Sequence, residues 1–382
     1  MKPLARGPGA MRRSGIREIM ELASSMTDVI HLEVGDPDLP TPAPIVEAAH
    51  RAALDGYTRY TPNAGLPSLR AAIAGRLRDR HGLETSPEAV VVTPGAVCAL
   101  ATSVLAIVDP GEEVLVPDPG WPNYRSMVQL AGGRPVPYPL RAETGYLPDP
   151  AGLERLLTPR TKLLVVNTPA NPTGAVFPEE VVRQLVGWAR EHDLYVLSDE
   201  VYEDFVFRGV HVPARRFDPD GRVVTVSGFS KTYAMTGWRL GYAVAPPEVA
   251  AVVSRLQEPL VSCAAAPTQK AAEAALCLPD QVVDGMRERY RGRVELAAGV
   301  LEPAGLLPVR PAGALYAFVD LRHLGDDSYR LARELLERER VATAPGESFG
   351  AEGRGRLRLS LTADEAALLE GCRRIVRFAG TD

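Results

Sequence analysis

The stretch Ser-Gly-Phe-Ser-Lys-Thr-Tyr-Ala-Met-Thr-Gly-Trp-Arg-Leu-Gly occupies residues 227–241, with one lysine, Lys231, and an arginine eight positions later, Arg239. The β-branched residues at 223–226 predict a short buried strand, which Gly228 ends. The stretch is not a nucleotide-binding P-loop, because that loop has a glycine directly before its lysine. The sequence therefore predicts that Lys231 lies in a turn beyond the end of a strand.

A lysine and an arginine in such a turn suit a phosphorylated aldehyde. An ordinary lysine has a pKa of about 10.4, so it acts as a nucleophile only when its neutral form is favoured or a carbonyl captures it as an imine. The guanidinium of Arg239 can bind a phosphate through paired hydrogen bonds, and Ser230 can add a hydroxyl. Pyridoxal 5'-phosphate carries both groups and is the predicted cofactor. The alternative is a surface lysine near an arginine in an ordinary ion pair.

Short apolar runs alternate with helical stretches along the chain, which favours a mostly parallel sheet covered by helices. The predicted strands are 89–92, 113–116, 134–138, 162–166, 194–197, 222–226 and 242–245. Ligands of such sheets bind beyond the carboxyl ends of the strands, where Gly95, Asn167, Asp199 and Ser227 fall. A helical region after Pro267, with strands at 317–320 and 357–360, predicts a second, smaller lobe.

Residues 228–241 resemble the lysine signature of the class I and II aminotransferases, which are fold-type I pyridoxal phosphate enzymes. Further segments follow in that family's order: Val-Gly-Asp-Pro-Asp at 34–38, Tyr-Thr-Pro-Asn-Ala-Gly at 60–65, Thr-Pro-Gly-Ala at 93–96, Asn-Thr-Pro-Ala-Asn-Pro-Thr-Gly at 167–174, Ser-Asp-Glu-Val-Tyr at 198–202 and Arg-Leu-Arg-Leu-Ser at 356–360. The resemblance covers nearly the whole chain.

The resemblance implies an α/β fold with a large domain and a smaller, discontinuous α+β domain. Residues 1–40 would form an N-terminal arm and part of the small domain. Residues 41–290 would form the large cofactor-binding domain, with its mostly parallel, helix-covered sheet. Residues 291–382 would complete the small domain, against which the amphipathic helix predicted at 14–25 should pack.

The same resemblance implies a role for each matching residue. Lys231 would hold the cofactor as an internal aldimine, Asp199 would pair with the protonated ring nitrogen, Tyr202 and Asn171 would bind the phenolic oxygen, and Arg358 would bind the substrate carboxylate. The predicted catalytic residues are Lys231, Asp199 and Tyr202; the predicted cofactor-binding residues are Gly95, Ala96, Val97, Trp121, Asn171, Asp199, Tyr202, Ser230, Lys231, Arg239 and Tyr60; and the predicted substrate-binding residues are Gly35, Trp121, Asn171 and Arg358.

Physical arguments support several of these roles, although each residue type also has a simpler use. An unpaired carboxylate at a buried strand end is costly, so Asp199 needs a cationic partner unless it only caps a helix. Gly95 precedes a predicted helix, whose free amides and dipole can bind a phosphate. Trp121 offers a flat surface for stacking, or simply core packing. Tyr60 is implied to reach the cofactor of a neighbouring subunit, which predicts a homodimer with shared active sites.

Two positions depart from the family pattern. Gly228 stands where family members often have serine or threonine, so one hydroxyl for the phosphate is absent, and Ser230 can compensate. Val97 stands where the aspartate-preferring bacterial branch usually has a lysine for the distal carboxylate. An apolar side chain cannot replace that cation, which argues against a preference for acidic substrates and leaves the substrate side chain open.

The predicted function is a pyridoxal phosphate-dependent aminotransferase that moves an amino group from an L-amino acid to a 2-oxo acid by a ping-pong mechanism. The same cofactor and lysine also support a β- or γ-lyase, a decarboxylase or a carbon–carbon bond-forming enzyme, so these remain alternatives. A cofactor-sensing regulator is a further class, but the sequence has no helix-turn-helix segment or basic region for DNA.

Composition narrows the function classes. The 382 residues carry a formal net charge of −5 with no basic block, which predicts no nucleic-acid partner. The four cysteines and six histidines form no short-range ligand motif, so no metal is predicted. The basic N-terminus is not followed by an apolar segment, and apolar runs are too short for a bilayer, which predicts a cytoplasmic protein without membrane association.

Overall fold

The computed structural model describes residues 14–380, in which the β-branched runs of the sequence form strands. The strands are β1 (Ile30–His31), β2 (Val90–Thr93), β3 (Glu113–Asp118), β4 (Arg134–Pro139), β5 (Thr161–Asn167), β6 (Tyr195–Asp199), β7 (Val223–Gly228), β8 (Gly241–Val244), β9 (Tyr316–Asp320), β10 (Val341–Ala342), β11 (Ala344–Pro345) and β12 (Arg356–Ser360).

The helices surround these strands. They are α1 (Gly15–Ser24), α2 (Ala43–Leu54), α3 (Pro67–His81), α4 (Ala96–Ile107), α5 (Asn123–Leu130), α6 (Pro150–Glu154), α7 (Glu179–Glu191), α8 (Pro247–Val261), α9 (Ala266–Leu276), α10 (Asp280–Leu301), α11 (Ser328–Glu339) and α12 (Glu365–Ala379). Within residues 14–380, no helix combines the length and the apolar character needed to cross a membrane.

A seven-stranded sheet in the order β2-β8-β7-β6-β5-β3-β4 forms the centre of the fold. Neighbouring strands are parallel except around β8, which is antiparallel to both β2 and β7. This topology confirms the predicted α/β fold with a mostly parallel sheet. All seven predicted strands are present, and no end differs from the prediction by more than two residues.

Helices cover both faces of this sheet, so the strands are buried on both sides. On one face, Leu100 of α4, Met127 of α5 and Val253 of α8 pack against the strands. On the other face, Val182 and Leu185 of α7 do so. Burying each such side chain stabilises the fold by roughly 1.5–3 kcal/mol. The carboxyl ends of the parallel strands are left free to form a site.

A smaller antiparallel sheet, in the order β11-β12-β9, lies beside helices from both ends of the chain. Ile19 and Ala23 of α1 share an apolar core with Val294, Leu331 and Leu368 of α10, α11 and α12. The strand pair β1–β10 joins the same two regions of the sequence. The helix predicted at 14–25 therefore forms as α1 and packs against the C-terminal region, as expected.

Six of the seven strands of the large sheet end later than the sequence predicts, and this changes the position of three polar residues. Asn167 and Asp199 are the last residues of β5 and β6 and pair with each other in register, instead of following their strands. Ser227 likewise lies within β7. The Asn171–Pro172 peptide bond is cis, as its turn sequence suggests. Three neighbouring strand ends thus bring polar groups to one edge.

Candidate active site

A cavity of about 580 Å³ opens at the carboxyl ends of the central strands. Its walls come from the large sheet, from the start of α4, from β12 and from the N-terminal segment around Gly35. The predicted site residues that line it are Gly35, Ala96, Val97, Trp121, Asn171, Asp199, Tyr202, Ser230, Lys231, Arg239 and Arg358. Residues far apart in the sequence therefore converge on one cavity.

Lys231 lies in the turn after β7, where its Nζ donates a 2.6 Å hydrogen bond to the carbonyl oxygen of Gly35. Gly35 approaches the cavity so closely that a Cβ atom there would lie 2.0 Å from the Tyr316 hydroxyl oxygen. A side chain at position 35 would therefore displace Tyr316 or the segment that contacts Lys231. The amine is held by a backbone carbonyl, and no carboxylate neutralises it at this contact.

Asp199 lies on the floor of the cavity, with 3% of its surface exposed. Its Oδ2 accepts a 2.6 Å hydrogen bond from Tyr124, and its Oδ1 accepts a long bond of 3.3 Å from the amide of Val201. Burial raises the pKa of Asp199 from 3.8 to about 6, although the Tyr124 hydrogen bond acts in the opposite direction. A cation beside Oδ1 would stabilise the charged form.

Tyr202 and Asn171 lie on the same side of the cavity as the small sheet. The hydroxyl of Tyr202 is hydrogen-bonded to the hydroxyl of Tyr316 at 2.8 Å. Burial, together with the neighbouring Tyr316, raises the pKa of Tyr202 well above its ordinary value, so this phenol keeps its proton. The backbone amide of Asn171 donates to Asn167 Oδ1 at 2.9 Å, which fixes the turn that carries its side chain.

Arg358 of β12 joins the small sheet to the cavity. It donates from Nη1 to Asn171 Oδ1 at 3.1 Å and from Nη2 to the Glu33 carbonyl at 2.5 Å. Its guanidinium carbon lies 4.3 Å from the ring centre of Tyr316 and 4.9 Å from that of Phe349. Burial lowers the pKa of Arg358. Since a guanidinium has five N–H donors, several remain for a carboxylate.

The start of α4 and Arg239 form a compact cationic corner. Gly95 has a φ of 83°, and a Cβ atom there would lie 2.6 Å from Arg239 Nη2, so only glycine lets the guanidinium approach the helix start. A Cβ at Gly241 would lie 2.3 Å from the amide nitrogen of Ala96. Arg239 Nη1 donates to the Thr236 carbonyl at 2.7 Å. The first amides of α4 have no partner within the helix, which makes this corner a seat for an anion.

Trp121 and Tyr60 have different positions relative to the cavity. Trp121 lines it and packs edge-to-face on Tyr124, with ring centres 5.5 Å apart. Tyr60 is 89% exposed and is not among the lining residues of this single chain. Of the predicted site residues, only Gly95 and Tyr60 do not line the cavity: Gly95 lies beside the lining residue Arg239, and Tyr60 is the residue expected to act on a neighbouring subunit.

No role was predicted from the sequence for three lining residues, Tyr124, Asn167 and Tyr316, although Asn167 was placed at a strand end. All three contact predicted site residues through hydrogen bonds. Tyr124 lies at the start of α5, three residues after Trp121, and its amide donates a 3.2 Å bond to the Trp121 carbonyl oxygen; this three-residue spacing is a signal that could have indicated Tyr124. Tyr316, at the start of β9, has no comparable signal, because an aromatic residue in an apolar strand is typical of a core position.

These residues fit pyridoxal 5'-phosphate. The corner of Gly95, Ala96 and Arg239 offers amides and a guanidinium to a phosphate, and the glycine leaves room for it. Asp199, buried with a raised pKa, suits a protonated ring nitrogen. Lys231 supplies the primary amine that an aldehyde requires. The donor set, the charge and the space thus agree with one cofactor.

Comparison with known proteins identifies the family of this chain. The profile of the family "aminotransferase class I and II" matches residues 27–375. The aspartate/prephenate aminotransferase of Thermus thermophilus is 40% identical over the full length of both chains. An arginine–pyruvate transaminase of Pseudomonas aeruginosa is 39% identical over 92% of this chain and 90% of the relative.

Solved structures resemble the whole fold. The aspartate aminotransferase of Thermus thermophilus with maleate superposes with a TM-score of 0.94, at 40% identity, over 99% of this chain and 100% of the other. An aromatic aminotransferase of Pyrococcus horikoshii gives a TM-score of 0.89 at 38% identity, over 95% and 98% of the two chains. The chain therefore belongs to the class I and II aminotransferase family and is a pyridoxal 5'-phosphate-dependent aminotransferase of amino acids.

Proposed function

We propose that this enzyme transfers an amino group from an L-amino acid to a 2-oxo acid by a ping-pong mechanism in which Lys231 moves the proton at the substrate α-carbon. The cofactor, when bound, supplies an electron-poor ring that stabilises negative charge at that carbon. The observation that carries the proposal is the convergence of Lys231, Asp199 and Arg358 on one cavity. They provide an amine, a buried carboxylate and a carboxylate-binding cation.

Lys231 is the proposed nucleophile and proton carrier. Its contact with the Gly35 carbonyl directs Nζ towards the N-terminal segment of the cavity wall. As a free amine, Lys231 would accept the proton from the substrate α-carbon and donate a proton again in the second transfer, which is general acid–base catalysis. The glycine at position 35 supports this role by leaving space at that contact.

Asp199 is the proposed partner of the cofactor ring nitrogen. A protonated nitrogen beside its buried carboxylate would satisfy a charge that burial otherwise penalises. Tyr202 and Asn171 are the proposed donors to the phenolic oxygen. Their neighbours Tyr316 and Asn167 hold them through the hydrogen bonds described above.

Arg358 is the proposed site for the substrate α-carboxylate. Its stacking between Tyr316 and Phe349 fixes the guanidinium plane, and its bonds to Asn171 and Glu33 leave donors for a paired contact with a carboxylate. A planar group held in this way can orient the substrate over the ring that Trp121 is proposed to stack against.

The phosphate is proposed to bind at the backbone amides of Ala96 and Val97, with Ser230 and Arg239, while Gly95, whose own amide donates a 2.7 Å bond to the Thr93 carbonyl oxygen, leaves room for the Arg239 guanidinium. Tyr60 is proposed to complete this site on a second copy of the chain, so that the enzyme is a homodimer with shared active sites. Its 89% exposure in the single chain supports this role, because an aromatic ring so exposed is available to a partner.

Two cavity-lining residues of opposite character are the proposed neighbours of the substrate side chain. Val97 is apolar and lines the cavity, whereas Arg17 of α1 lines it with a cation. Arg17 is exposed, and its Nη1 lies 3.7 Å from the sulfur of Met20. We propose that a carboxylate on the substrate side chain, if accepted, contacts Arg17, while Val97 favours neutral and aromatic side chains.

Two further expectations remain proposals. The proposed division is 1–40, 41–290 and 291–382, of which residues 1–13, 381 and 382 lie outside the described residues. The packing of α1 on the C-terminal helices supports joining the first and last segments, whereas residue 290 lies inside the continuous helix α10. A cytoplasmic location without membrane or nucleic-acid partners is supported by the acidic composition. Cell fractionation followed by immunodetection would test the location.

The deciding experiment mixes the purified protein, loaded with pyridoxal phosphate, with single amino acids and no 2-oxo acid. Transamination predicts loss of the yellow absorption with one equivalent each of 2-oxo acid and pyridoxamine phosphate. Ammonia released over many turnovers would instead show a lyase. The donors that bleach the absorption identify the side chain, and Arg17→Met should affect only acidic donors.

A further inference from the structure

A cluster of buried charges lies directly behind the active-site turn at 199–204. Asp199 and Tyr202 line the cavity, whereas Glu200, Glu203 and Asp204 of the same turn are buried and form their own polar contacts. The two sets are interspersed along one short segment. A displacement of the buried carboxylates would therefore move the cavity-lining side chains as well.

Asp204 joins this turn to the lysine turn. Its Oδ2 accepts a 2.7 Å hydrogen bond from Thr232, the residue after Lys231, and a 2.9 Å bond from Arg76. Arg80 also forms an ion pair with its Oδ1. Both arginines belong to the last turns of α3. One carboxylate thus ties together the turn of Tyr202, the turn of Lys231 and a helix behind the sheet.

Glu203 makes a second link to the same helix. Its Oε2 lies 3.0 Å from His81 Nε2 at the end of α3, and its Oε1 accepts a bond of 3.3 Å from Ser227 of β7. Burial would raise the pKa of Glu203, but the hydrogen bond and charge of His81, together with the charges of Arg76 and His211, lower that pKa below its ordinary value. Glu203 is therefore an anion in the folded protein.

Such groups are costly to bury and are not needed for stability alone. Desolvation of a buried ion pair can exceed its Coulombic gain, and apolar side chains of similar size are often equally stabilising. Charge-assisted hydrogen bonds are, however, short and directional, and catalytic groups must be held within about 0.5 Å of their productive positions. We propose that Asp204 and Glu203 are positioning residues, which fix Lys231, through Thr232, relative to Asp199 and Tyr202.

A metal site is the competing interpretation of the same cluster. Ligand atoms of Glu200, Glu203 and His211 lie within 4.8 Å of one another. Their oxygens, however, already have donors: Glu200 Oε1 accepts from Ser198, and Glu200 Oε2 lies 3.0 Å from His211 Nε2. Arginines and histidines around the carboxylates supply the positive charge that an ion would bring. The hydrogen-bonded network therefore accounts for the cluster.

The test compares Thr232→Val, which deletes the bond to Asp204 at nearly constant volume, with Thr232→Ser, which keeps the hydroxyl. A matched control is Thr158→Val, because Thr158 donates a 2.8 Å bond to Glu113, a buried carboxylate paired with two arginines at the opposite end of the sheet. Four quantities are measured: the thermal midpoint of the cofactor-free protein, the pH midpoint of the bound cofactor's visible absorption, kcat and KM.

Positioning predicts that Thr232→Val shifts the pH midpoint of the absorption by about half a unit or more, since the Lys231 contact with Gly35 moves. It also predicts that Thr232→Val lowers kcat about tenfold and changes KM by no more than about twofold. Both the pH midpoint and kcat should return to their wild-type values in Thr232→Ser. Thr158→Val should lower only the thermal midpoint. Wild-type absorption and kcat in folded Thr232→Val would overturn the proposal.

Two further measurements keep the proposal testable. If Thr232→Val does not fold, Arg80→Met, which removes a partly exposed cation from Asp204, should give a smaller shift of the same kind, and an unchanged pH midpoint there would count against positioning. Metal analysis of the purified protein should find no stoichiometric ion. One divalent ion per chain, lost in Glu203→Gln, would overturn the network interpretation.

Discussion

The hydroxyl of Tyr124 donates a 2.6 Å hydrogen bond to Oδ2 of Asp199, and both groups are buried beneath the cavity. Burial and the adjacent charge of Asp199 raise the pKa of Tyr124 well above its ordinary value, so the phenol is always the donor. The bond stabilises the ionised carboxylate, and it leaves Oδ1 with only a weak backbone partner. Oδ1 of Asp199 is therefore available to pair with a cation.

Tyr124→Phe should make Asp199 a weaker partner for a cation. Loss of the donor raises the pKa of Asp199, so more of the carboxyl is neutral near pH 7 and the cofactor ring is bound less firmly. A hydrogen bond to a charged group contributes about 1.5–3 kcal/mol, so the acidic limb of the pH–rate profile should move up by about one unit or more. Tyr138→Phe is the control, because Tyr138 donates a similar buried bond of 2.7 Å to the Val165 carbonyl. An acidic limb that moves equally in both variants would contradict the assignment.

The raised pKa of Asp199 also predicts a pH dependence of the cofactor-free protein. The folded state binds this proton more tightly than the unfolded state, where the pKa is near 3.8. The stabilisation is therefore fully present below about pH 3.8 and is lost as the pH rises through about 6. The free energy of unfolding should lose about 3 kcal/mol from this group, and Asp199→Asn should remove that part. Urea unfolding of both proteins between pH 4 and 7 measures the difference, and identical pH slopes would refute it.

Lys231→Ala should abolish amino transfer, because both the covalent attachment and the proton transfer lose their amine. The expected loss is about 10³-fold or more in the single-turnover rate with an amino acid. Lys162→Ala is the control, since Lys162 lies outside the cavity, 3.9 Å from Glu112. Native turnover by Lys231→Ala would exclude this lysine as the catalytic group.

Local patterns in the sequence predicted much of the fold and site, because strands and the turns after them depend on residues that are close together in the chain. Buried strands are continuous apolar runs, and the residues after them mark the edge at which Asp199 and Lys231 meet. The contact of Glu203 with His81 joins residues 122 positions apart, and no local pattern reports it. Arg356 and Arg358 share one face by the alternation of β12, yet only Arg358 lines the cavity. Arg356 lies two residues earlier on the same strand, and there it pairs with Asp320 instead.

Gly95→Ala should lower the affinity for pyridoxal phosphate. The new Cβ would lie 2.6 Å from Arg239 Nη2, and the guanidinium must leave the phosphate corner to make room. The positive φ of 83° adds backbone strain, so Gly111→Ala is a matched control with a φ of 89° and no atom within 4 Å of the new Cβ. Both variants should lose about 1 kcal/mol of stability. Only Gly95→Ala should also bind the cofactor about tenfold or more weakly, as measured by titration of the absorption. Equal affinities in the two variants would remove Arg239 from the phosphate site.

Mixing two impaired variants should restore activity if Tyr60 acts on the partner subunit. In Lys231→Ala the tyrosine is intact, and in Tyr60→Ala the lysine is intact. A mixed dimer then has one site with both defects and one site with neither, because a two-fold axis exchanges the contributions. With random reassortment, about a quarter of all sites should be unaltered, and activity should exceed the mean of the two separate variants. The measurement is turnover after joint refolding, with sedimentation to establish the dimer. Activity equal to the mean would place Tyr60 outside the partner's site, and a monomer in sedimentation would exclude shared sites altogether.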